Sequence, residues 1–137
     1  MSRYKARIQA FELLFSASFV KSKIDLKKVF NNFEFEYDQK IDEFASRVFW
    51  GVSENLQKID ELIKSNLKNW EVNRISRVAL CTMRIAVYEM LFESEIPAGI
   101  SSYEAVEIAK RYGSSEEPAY VNAVLNAIEK EILTSTN

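Results

Sequence analysis

The chain has 137 residues, 47% of them hydrophobic and 28% charged, which suits a single domain with a sizeable core. Three glycines and two prolines are too few for a turn-rich sandwich or barrel, so the composition predicts an all-α protein. With no histidine and one cysteine, the sequence gives no basis for a zinc site, a histidine-based catalyst or an intrachain disulfide. We therefore expect a binding protein rather than an enzyme, with no metal and no cofactor.

The formal net charge of −2 is unevenly distributed along the chain. Residues 1–28 contain seven basic and two acidic side chains, so this segment carries +5 and the remainder carries −7. A basic start on an acidic body predicts a local contact with a polyanion. Because the N-terminus lacks a cationic, apolar leader, we expect a cytoplasmic protein, and we expect no membrane association.

The first predicted helix lies in the basic segment. Ser2 is a suitable N-cap for a helix that runs to about Ser18. Arg3 and Arg7 are four residues apart and are expected to project from the same side, with Lys5 nearby. Cations at a helix N-terminus oppose the helix dipole, which indicates a use for them, although solvated surface residues are the alternative interpretation.

Apolar spacing predicts the next elements. A shorter helix is expected over 25–33, and the alternation of apolar and acidic residues over 31–37 indicates a connector. Apolar residues then recur at spacings of three and four over 38–67, which predicts one amphipathic helix of up to about 30 residues. We expect this helix to be kinked or broken near Gly51 and to end at residues 69–70.

The stretch 74–92 is apolar on more than one side and is predicted to be the buried central helix. Arg84 lies among its apolar residues, so it needs a carboxylate partner, because an unpaired buried charge is very costly. Glu89 lies well off the helical face of Arg84. The candidate partners are therefore Glu104 and Glu107.

Two further helices are predicted at the C-terminal end. One is capped within 101–102 and runs through Tyr112 to a C-terminal cap at Gly113. The last helix starts within 115–117, where a proline follows close to the first helical position. The tail over 133–137 is expected to fray.

Three stretches, taken together and in this order, carry a resemblance to a known family. They read R-x-K-A-R-x-x-A-x-x-L-L-F over 3–15, N-W…R-I-S-R-V…M-R-I-A-V-Y-E-M over 69–90, and I-P…E-A-V-E-I-A-K-R-Y-G…Y-V-N-A-V-L-N over 96–126. In this combination the chain resembles the NusB family of transcription antitermination factors.

The resemblance implies both a fold and a function. The expected fold is a compact bundle of about six or seven helices, a single domain over 1–137 with three-helix subdomains over 1–70 and 71–137. The expected function is that of the family, whose members bind the boxA element of nascent RNA with NusE, a small-subunit ribosomal protein. That complex modifies RNA polymerase so that it reads through terminators, notably in ribosomal RNA operons.

The family's arginine-rich start falls on Arg3, Lys5 and Arg7, which we expect to contact phosphates and base edges. Lys110 and Arg111 are candidates for extending this basic path, and a role in solubility is the alternative for both. Recognition of unpaired RNA typically adds aromatic stacking. A stacking residue is therefore expected beside these cations.

Tyr120 is the aromatic residue nominated for stacking, and the alternative is that it caps the core with its hydroxyl outside. The expected contacts with a protein partner are Phe15, Ala79 and Leu80. The family commonly has an acidic and then a basic residue at the last two positions, and I-N-E-A where this chain has 102–105. These departures indicate a changed partner surface or a patch for self-association.

Two alternative functions remain open. One is the accessory domain of an RNA-modifying enzyme, since NusB-like domains also precede ribosomal RNA methyltransferase domains. A chain of 137 residues leaves no room for a catalytic domain, so this would require a truncated gene product. The other is a helical protein-interaction module or homodimer without strong RNA binding of its own.

Overall fold

The structure of the protein, a computed structural model, describes residues 1–20, 22–67 and 75–135. Within these ranges the chain forms seven α-helices and no β-strand, which confirms the predicted all-α bundle. The helices are α1 (Arg3–Ala17), α2 (Lys23–Tyr37), α3 (Glu43–Glu54), α4 (Leu56–Ser65), α5 (Arg77–Phe92), α6 (Ala98–Tyr112) and α7 (Glu117–Ser135).

Helix α5 is the centre of the bundle, as its apolar sequence predicts. It packs against α1, α3, α4, α6 and α7. The Ser76 hydroxyl accepts a hydrogen bond of 3.0 Å from the Ala79 amide and so caps its first turn. Cys81 is fully buried in the core, and burial raises the pKa of its thiol to about 11. The predicted helix end at residues 69–70 and the connection to α5 lie outside the described residues.

Helix α1 begins after Ser2 as predicted, because the Ser2 hydroxyl accepts the Lys5 amide hydrogen bond at 3.1 Å. The predicted connector over 31–37 is wrong, since α2 continues through these residues. Phe33 is 2% exposed and faces the core, whereas Phe35 is 91% exposed. The alternating pattern therefore reflects an aromatic residue that faces solvent, and not a strand.

The single long helix predicted over 38–67 is two helices, and the break lies at Asn55 rather than at Gly51. The Asn55 side-chain amide donates 2.8 Å to the Gly51 carbonyl, and its backbone amide bonds the same carbonyl at 3.1 Å. These bonds end α3. Gly51 has a different role, because a Cβ there would lie 2.1 Å from the Tyr88 ring. Glycine thus allows α3 and α5 to approach closely.

Arg84 does have a carboxylate partner, but neither of the predicted ones. Its Nε donates 2.9 Å to Asp60 Oδ1 and its Nη2 donates 2.8 Å to Asp60 Oδ2. The prediction of Glu104 or Glu107 is therefore wrong. The bidentate pair joins α4 to α5 and satisfies the guanidinium of a side chain that is only 16% exposed.

The last two helices match the prediction at two of their four ends, the end of α6 and the start of α7. Helix α6 begins at Ala98 rather than at a cap within 101–102, because a proline can precede a first turn whose amides need no intrahelical partner. Gly113 follows α6 and Glu117 begins α7, as predicted. The expected fraying is wrong over 133–135, which is helical. Residues 136–137 lie outside the described ranges.

Candidate nucleic-acid interface

The three basic residues at the start of α1 do not form one surface. Arg3 and Lys5 are exposed, whereas the Arg7 side chain is only 4% exposed. Arg7 lies between Ala6 and Ala10, on the side of α1 that faces the core, and Arg3 lies at the helix end, beyond the core. Arg3 and Arg7 do project from the same side of α1, because their guanidinium carbons lie 4.0 and 5.6 Å from the centre of the same Phe44 ring. The prediction that Arg7 contacts RNA is wrong, because its side chain is buried.

Arg7 is held inside the protein by Glu89 of α5. Its Nε donates a hydrogen bond of 2.7 Å to Glu89 Oε2, and its Nη2 donates one of 2.8 Å to Glu89 Oε1. The Ser101 hydroxyl of α6 donates 2.7 Å to the same Oε1. Because the carboxylate is fully buried, each of these bonds compensates part of its lost hydration. The contact ties α1 to the consecutive helices α5 and α6, which lie far from it in sequence.

A second bidentate pair lies one turn along α5. Arg47 of α3 donates 2.7 and 2.9 Å to the Glu93 carboxylate, which also accepts 2.9 Å from the Tyr88 hydroxyl. The hydrogen bond with Arg47 lowers the pKa of Glu93, and burial together with the Glu93 bond raises the pKa of Tyr88 to about 12. The pairs Arg7–Glu89 and Arg47–Glu93 are called here the ion-pair seam.

Arg3 lies at the outer end of this seam. Its guanidinium carbon is 4.0 Å from the centre of the Phe44 ring, and the Arg47 guanidinium is 5.4 Å from the same centre. Both arginines line an open cleft of about 270 Å³ together with Asp42 and Glu43. The two carboxylates offset the positive charge, so this cleft is a mixed rather than a cationic surface.

Lys110 and Arg111 lie in the last turn of α6, and both are exposed. Lys110 Nζ donates 3.3 Å to Glu107 one turn earlier, an exposed contact of little energetic value. Cations in a last turn also interact favourably with the helix dipole. Part of their presence is thus explained by the helix itself, and their exposure leaves them available to a ligand.

Helix α1 meets the end of α6 at Arg111. The Arg111 guanidinium lies 5.3 Å from the centre of the Tyr112 ring, and a hydrogen bond with Tyr4 of α1 raises its pKa. Lys5 follows Tyr4 and is exposed on the same helix. The three exposed cations Lys5, Lys110 and Arg111 are called here the cationic edge.

Tyr120 is half-buried, and its hydroxyl oxygen is covered. Burial raises the pKa of this hydroxyl. The ring lines a cleft of about 160 Å³ beside Glu117, whose carboxylate accepts hydrogen bonds from the Ser76 hydroxyl and, at 2.7 Å, from the Ser114 amide. Neither the exposed stacking face nor the outward hydroxyl expected for Tyr120 matches this placement.

The three residues expected to contact a protein partner are placed differently from one another. Ala79 is 1% exposed, so its side chain belongs to the core and cannot contribute the predicted contact. Phe15 and Leu80 are half-buried and pack against the core with one side. Only the last two remain candidates for a partner surface.

Phe15 belongs to a row of aromatic side chains that starts on α1 and ends two residues beyond it. Its ring centre lies 5.9 Å from that of Phe11 and 5.4 Å from that of Phe19, which is 59% exposed. Arg77 of α5 lies over Phe19 at 4.2 Å and donates 2.7 Å to the Ser18 carbonyl. The aromatic row (Phe11, Phe15 and Phe19) thus ends in an exposed ring that a cation holds in place.

Three residues beside these surfaces are absent from the sequence prediction: Tyr4, Tyr112 and Phe19. The spacing of four between the phenylalanines at 11, 15 and 19 was a signal for the aromatic row. No comparable local signal existed for Tyr4 and Arg111, which are distant in sequence and meet only after α1 and α6 pack together.

The described part of the chain contains no group of three or more His, Cys, Asp or Glu side chains that could hold a metal ion. Among the helices given above, none is both long and apolar enough to cross a membrane. The exposed groups at the junction of α1 and α6 are charges, hydrogen-bond donors and aromatic rings. These groups suit the binding of an anionic, base-bearing polymer.

Comparison with known proteins gives a consistent result. The model of the NusB family matches residues 4–130. Transcription antitermination protein NusB of Thermotoga maritima is 41% identical over 129 residues, covering 94% of this chain and 91% of the relative. The protein of the same name from Clostridium botulinum is 38% identical over 135 residues, covering 96% of this chain and all of the relative.

Solved structures agree with the sequence matches. T. maritima NusB is 39% identical with a TM-score of 0.81, covering 96% of this chain and 92% of that chain. A structure of the antitermination factors NusB and NusE in complex with double-stranded RNA is 25% identical with a TM-score of 0.81, covering 96% and 99%. Sequence and fold agree over nearly the whole length, and the chain belongs to the NusB family.

Proposed function

We propose that the protein is a transcription antitermination factor that binds boxA-type RNA together with NusE and promotes read-through by RNA polymerase, notably in ribosomal RNA operons. One observation carries the proposal: nearly the whole chain matches antitermination proteins, one of them in a structure that also contains NusE and RNA. The alternative as an enzyme's accessory domain has no comparable support among these relatives.

The RNA surface proposed here is the cationic edge together with Arg3. Lys5, Lys110 and Arg111 are exposed and can reach phosphates, and Arg3 lies over an aromatic ring at the same end of α1. Arg7 is excluded because both carboxylate oxygens of Glu89 occupy its guanidinium. The proposed surface therefore carries fewer cations than the basic sequence suggests, and NusE would supply part of the RNA contact.

The NusE surface proposed here is the outer side of the aromatic row with Leu80. Phe19 is largely exposed and Phe15 partly so, which is unfavourable in water and favourable once a partner covers them. Arg77 stands over Phe19 and adds a charge beside the apolar contact.

The role proposed for the protein is binding without catalysis. The location proposed for it is the cytoplasm, where RNA is synthesised in bacteria.

The test is a titration of fluorescently labelled boxA-type RNA with the full chain, with and without NusE, at several salt concentrations. Affinity should fall as salt rises, with a slope of about 0.7 in the logarithmic plot for each phosphate contacted. Lys5→Gln should reduce the slope by about 0.7 and weaken binding of every RNA sequence to a similar extent.

Lys58→Gln is the matched control, because it removes the same charge from α4, whose main neighbours are α3, α5 and α7. Its affinity and slope should equal those of the unchanged protein. A chain that binds no RNA, alone or with NusE, would overturn the proposal. If that chain also sediments as a stable dimer, the protein-interaction module becomes the better interpretation.

A further inference from the structure

Arg111 is held at the surface by contacts from two helices. The Tyr112 ring lies beneath its guanidinium at 5.3 Å, and the interaction with Tyr4 of α1 raises the pKa of the guanidinium. Tyr112 is itself stacked on Phe11, with ring centres 4.8 Å apart and an interplanar angle of 29°. Phe11 is 3% exposed, so this group of side chains is anchored in the core.

Glu12 argues against a purely electrostatic role for Arg111. Its half-buried carboxylate faces both Arg111 and Tyr112, and this negative charge offsets part of the charge that a phosphate would experience. Stacking of a base on the planar face of the guanidinium is not weakened by this charge in the same way. Lysine would provide the charge equally well, whereas only arginine provides a flat, weakly hydrated surface.

We propose that Arg111, supported by Tyr112 and Tyr4, is a stacking platform for one unpaired RNA base. This inference rests on the RNA-binding function proposed above and specifies which residue takes the stacking role first expected of Tyr120. Unpaired bases stack on arginine planes as well as on aromatic rings. Because the supporting rings fix the guanidinium beforehand, less side-chain entropy is lost when a base binds.

Neighbouring residues fit the proposal. Lys110 precedes Arg111 in α6 and Lys5 follows Tyr4 in α1, and both lysines are exposed and can contact the phosphates of the same strand. Tyr112 is 37% exposed, so an edge of its ring remains accessible beside the guanidinium. The platform therefore combines one planar cation with two exposed point charges.

Charge and stacking are separated by replacing Arg111 in two ways. Arg111→Lys keeps the charge and Arg111→Gln removes it, and RNA affinity is measured for the full chain with NusE over a range of salt. If a base stacks on the guanidinium, Arg111→Lys should weaken binding by about 5-fold to 100-fold with an unchanged salt slope. Retained affinity in Arg111→Lys would indicate a phosphate contact and would overturn the platform.

A second readout detects the stacked base directly. RNAs carrying 2-aminopurine at successive positions should show one position whose fluorescence is quenched on binding the unchanged protein and recovers with Arg111→Lys. Tyr112→Phe keeps the supporting ring and should bind as before, whereas Tyr112→Leu should lose both affinity and quenching. Thermal unfolding of each variant checks that the fold is retained, which Arg111→Lys, at an exposed site, should satisfy.

The two proposals fail in different ways. Absence of RNA binding by the unchanged protein with NusE would overturn the antitermination function and the platform together. The platform alone would be overturned if the unchanged protein binds RNA in a salt-sensitive way and Arg111→Lys shows the same affinity and the same quenching.

Discussion

The ion-pair seam and the cationic edge both use basic side chains, and the carboxylate partners of the seam separate their roles. In the seam, Arg7 and Arg47 each give two hydrogen bonds to one carboxylate, so little charge is left for a ligand. At the edge, Lys5 and Arg111 are exposed and their charge reaches solvent. A basic sequence segment therefore divides into a part that fixes the helices and a part that can bind RNA.

Removing the seam arginine should give the largest effect. Arg7→Ala leaves the Glu89 carboxylate buried without its guanidinium, and we expect a loss of about 3–5 kcal/mol in the free energy of unfolding. Urea unfolding measures this loss.

The triple variant Arg7→Met, Glu89→Leu and Ser101→Ala is the control, since it replaces both charges by apolar groups of similar volume and removes the hydroxyl that donates to Glu89, and it should recover most of the stability. A single-variant loss below about 1 kcal/mol would contradict the role assigned to the seam.

The second effect tests the close contact beside the seam. Gly51→Ala places a Cβ 2.1 Å from the ring of Tyr88, whose hydroxyl bonds Glu93, so the ring must move. We expect a loss of about 1–3 kcal/mol in the free energy of unfolding. Gly99→Ala is the matched control, because a Cβ there meets no atom within 4 Å. Equal stabilities for the two variants would argue against the packing described.

The third effect depends on pH. The hydrogen bond with Arg47 lowers the pKa of Glu93 below the ordinary value of 4.5, so the charged pair stabilises the fold above about pH 4.5. That stabilisation is lost as pH falls through the lowered pKa of the folded state. Glu93→Gln should cost about 1–3 kcal/mol at pH 7, with a difference from the unchanged protein that narrows below pH 4.5.

Urea unfolding between pH 7 and pH 3 measures this difference. Exposed Glu36, replaced by Gln, provides the control and should leave stability nearly unchanged across the range. A difference for Glu93→Gln that stays constant with pH would mean that its charge does not contribute.

The features that were predictable from sequence are those fixed by local chemistry. Ser2 caps α1 because its hydroxyl lies three residues before the amide that it binds, and the apolar run of α5 requires burial whatever surrounds it. Gly113 follows α6 for the same local reason, since the residues that need the cap are its sequence neighbours. The order and type of the helices follow from such signals.

The features that were missed depend on contacts between distant residues. Arg3 and Arg7 look equivalent in sequence, and only the position of Glu89, 82 residues from Arg7, decides which of them is buried. Arg84 likewise finds Asp60, which periodicity within α5 could not indicate. A site formed between helices is therefore less predictable than the helices themselves.

The smallest effect tests the cationic edge. Lys5 is the third residue of α1 after the Ser2 cap, where a cation opposes the helix dipole. Lys5→Glu creates a capping box and should stabilise the fold by about 0.3–1 kcal/mol while weakening RNA binding.

Lys5→Gln is the control, because it can form the same box without the negative charge. Its gain in stability should be smaller, and its RNA affinity should lie between those of the unchanged protein and Lys5→Glu. A gain in stability together with a loss of affinity would mean that the exposed edge keeps its cation for ligand binding at the expense of the helix, the opposite of what Arg7 does in the seam. Unchanged RNA affinity in Lys5→Glu would remove Lys5 from the cationic edge.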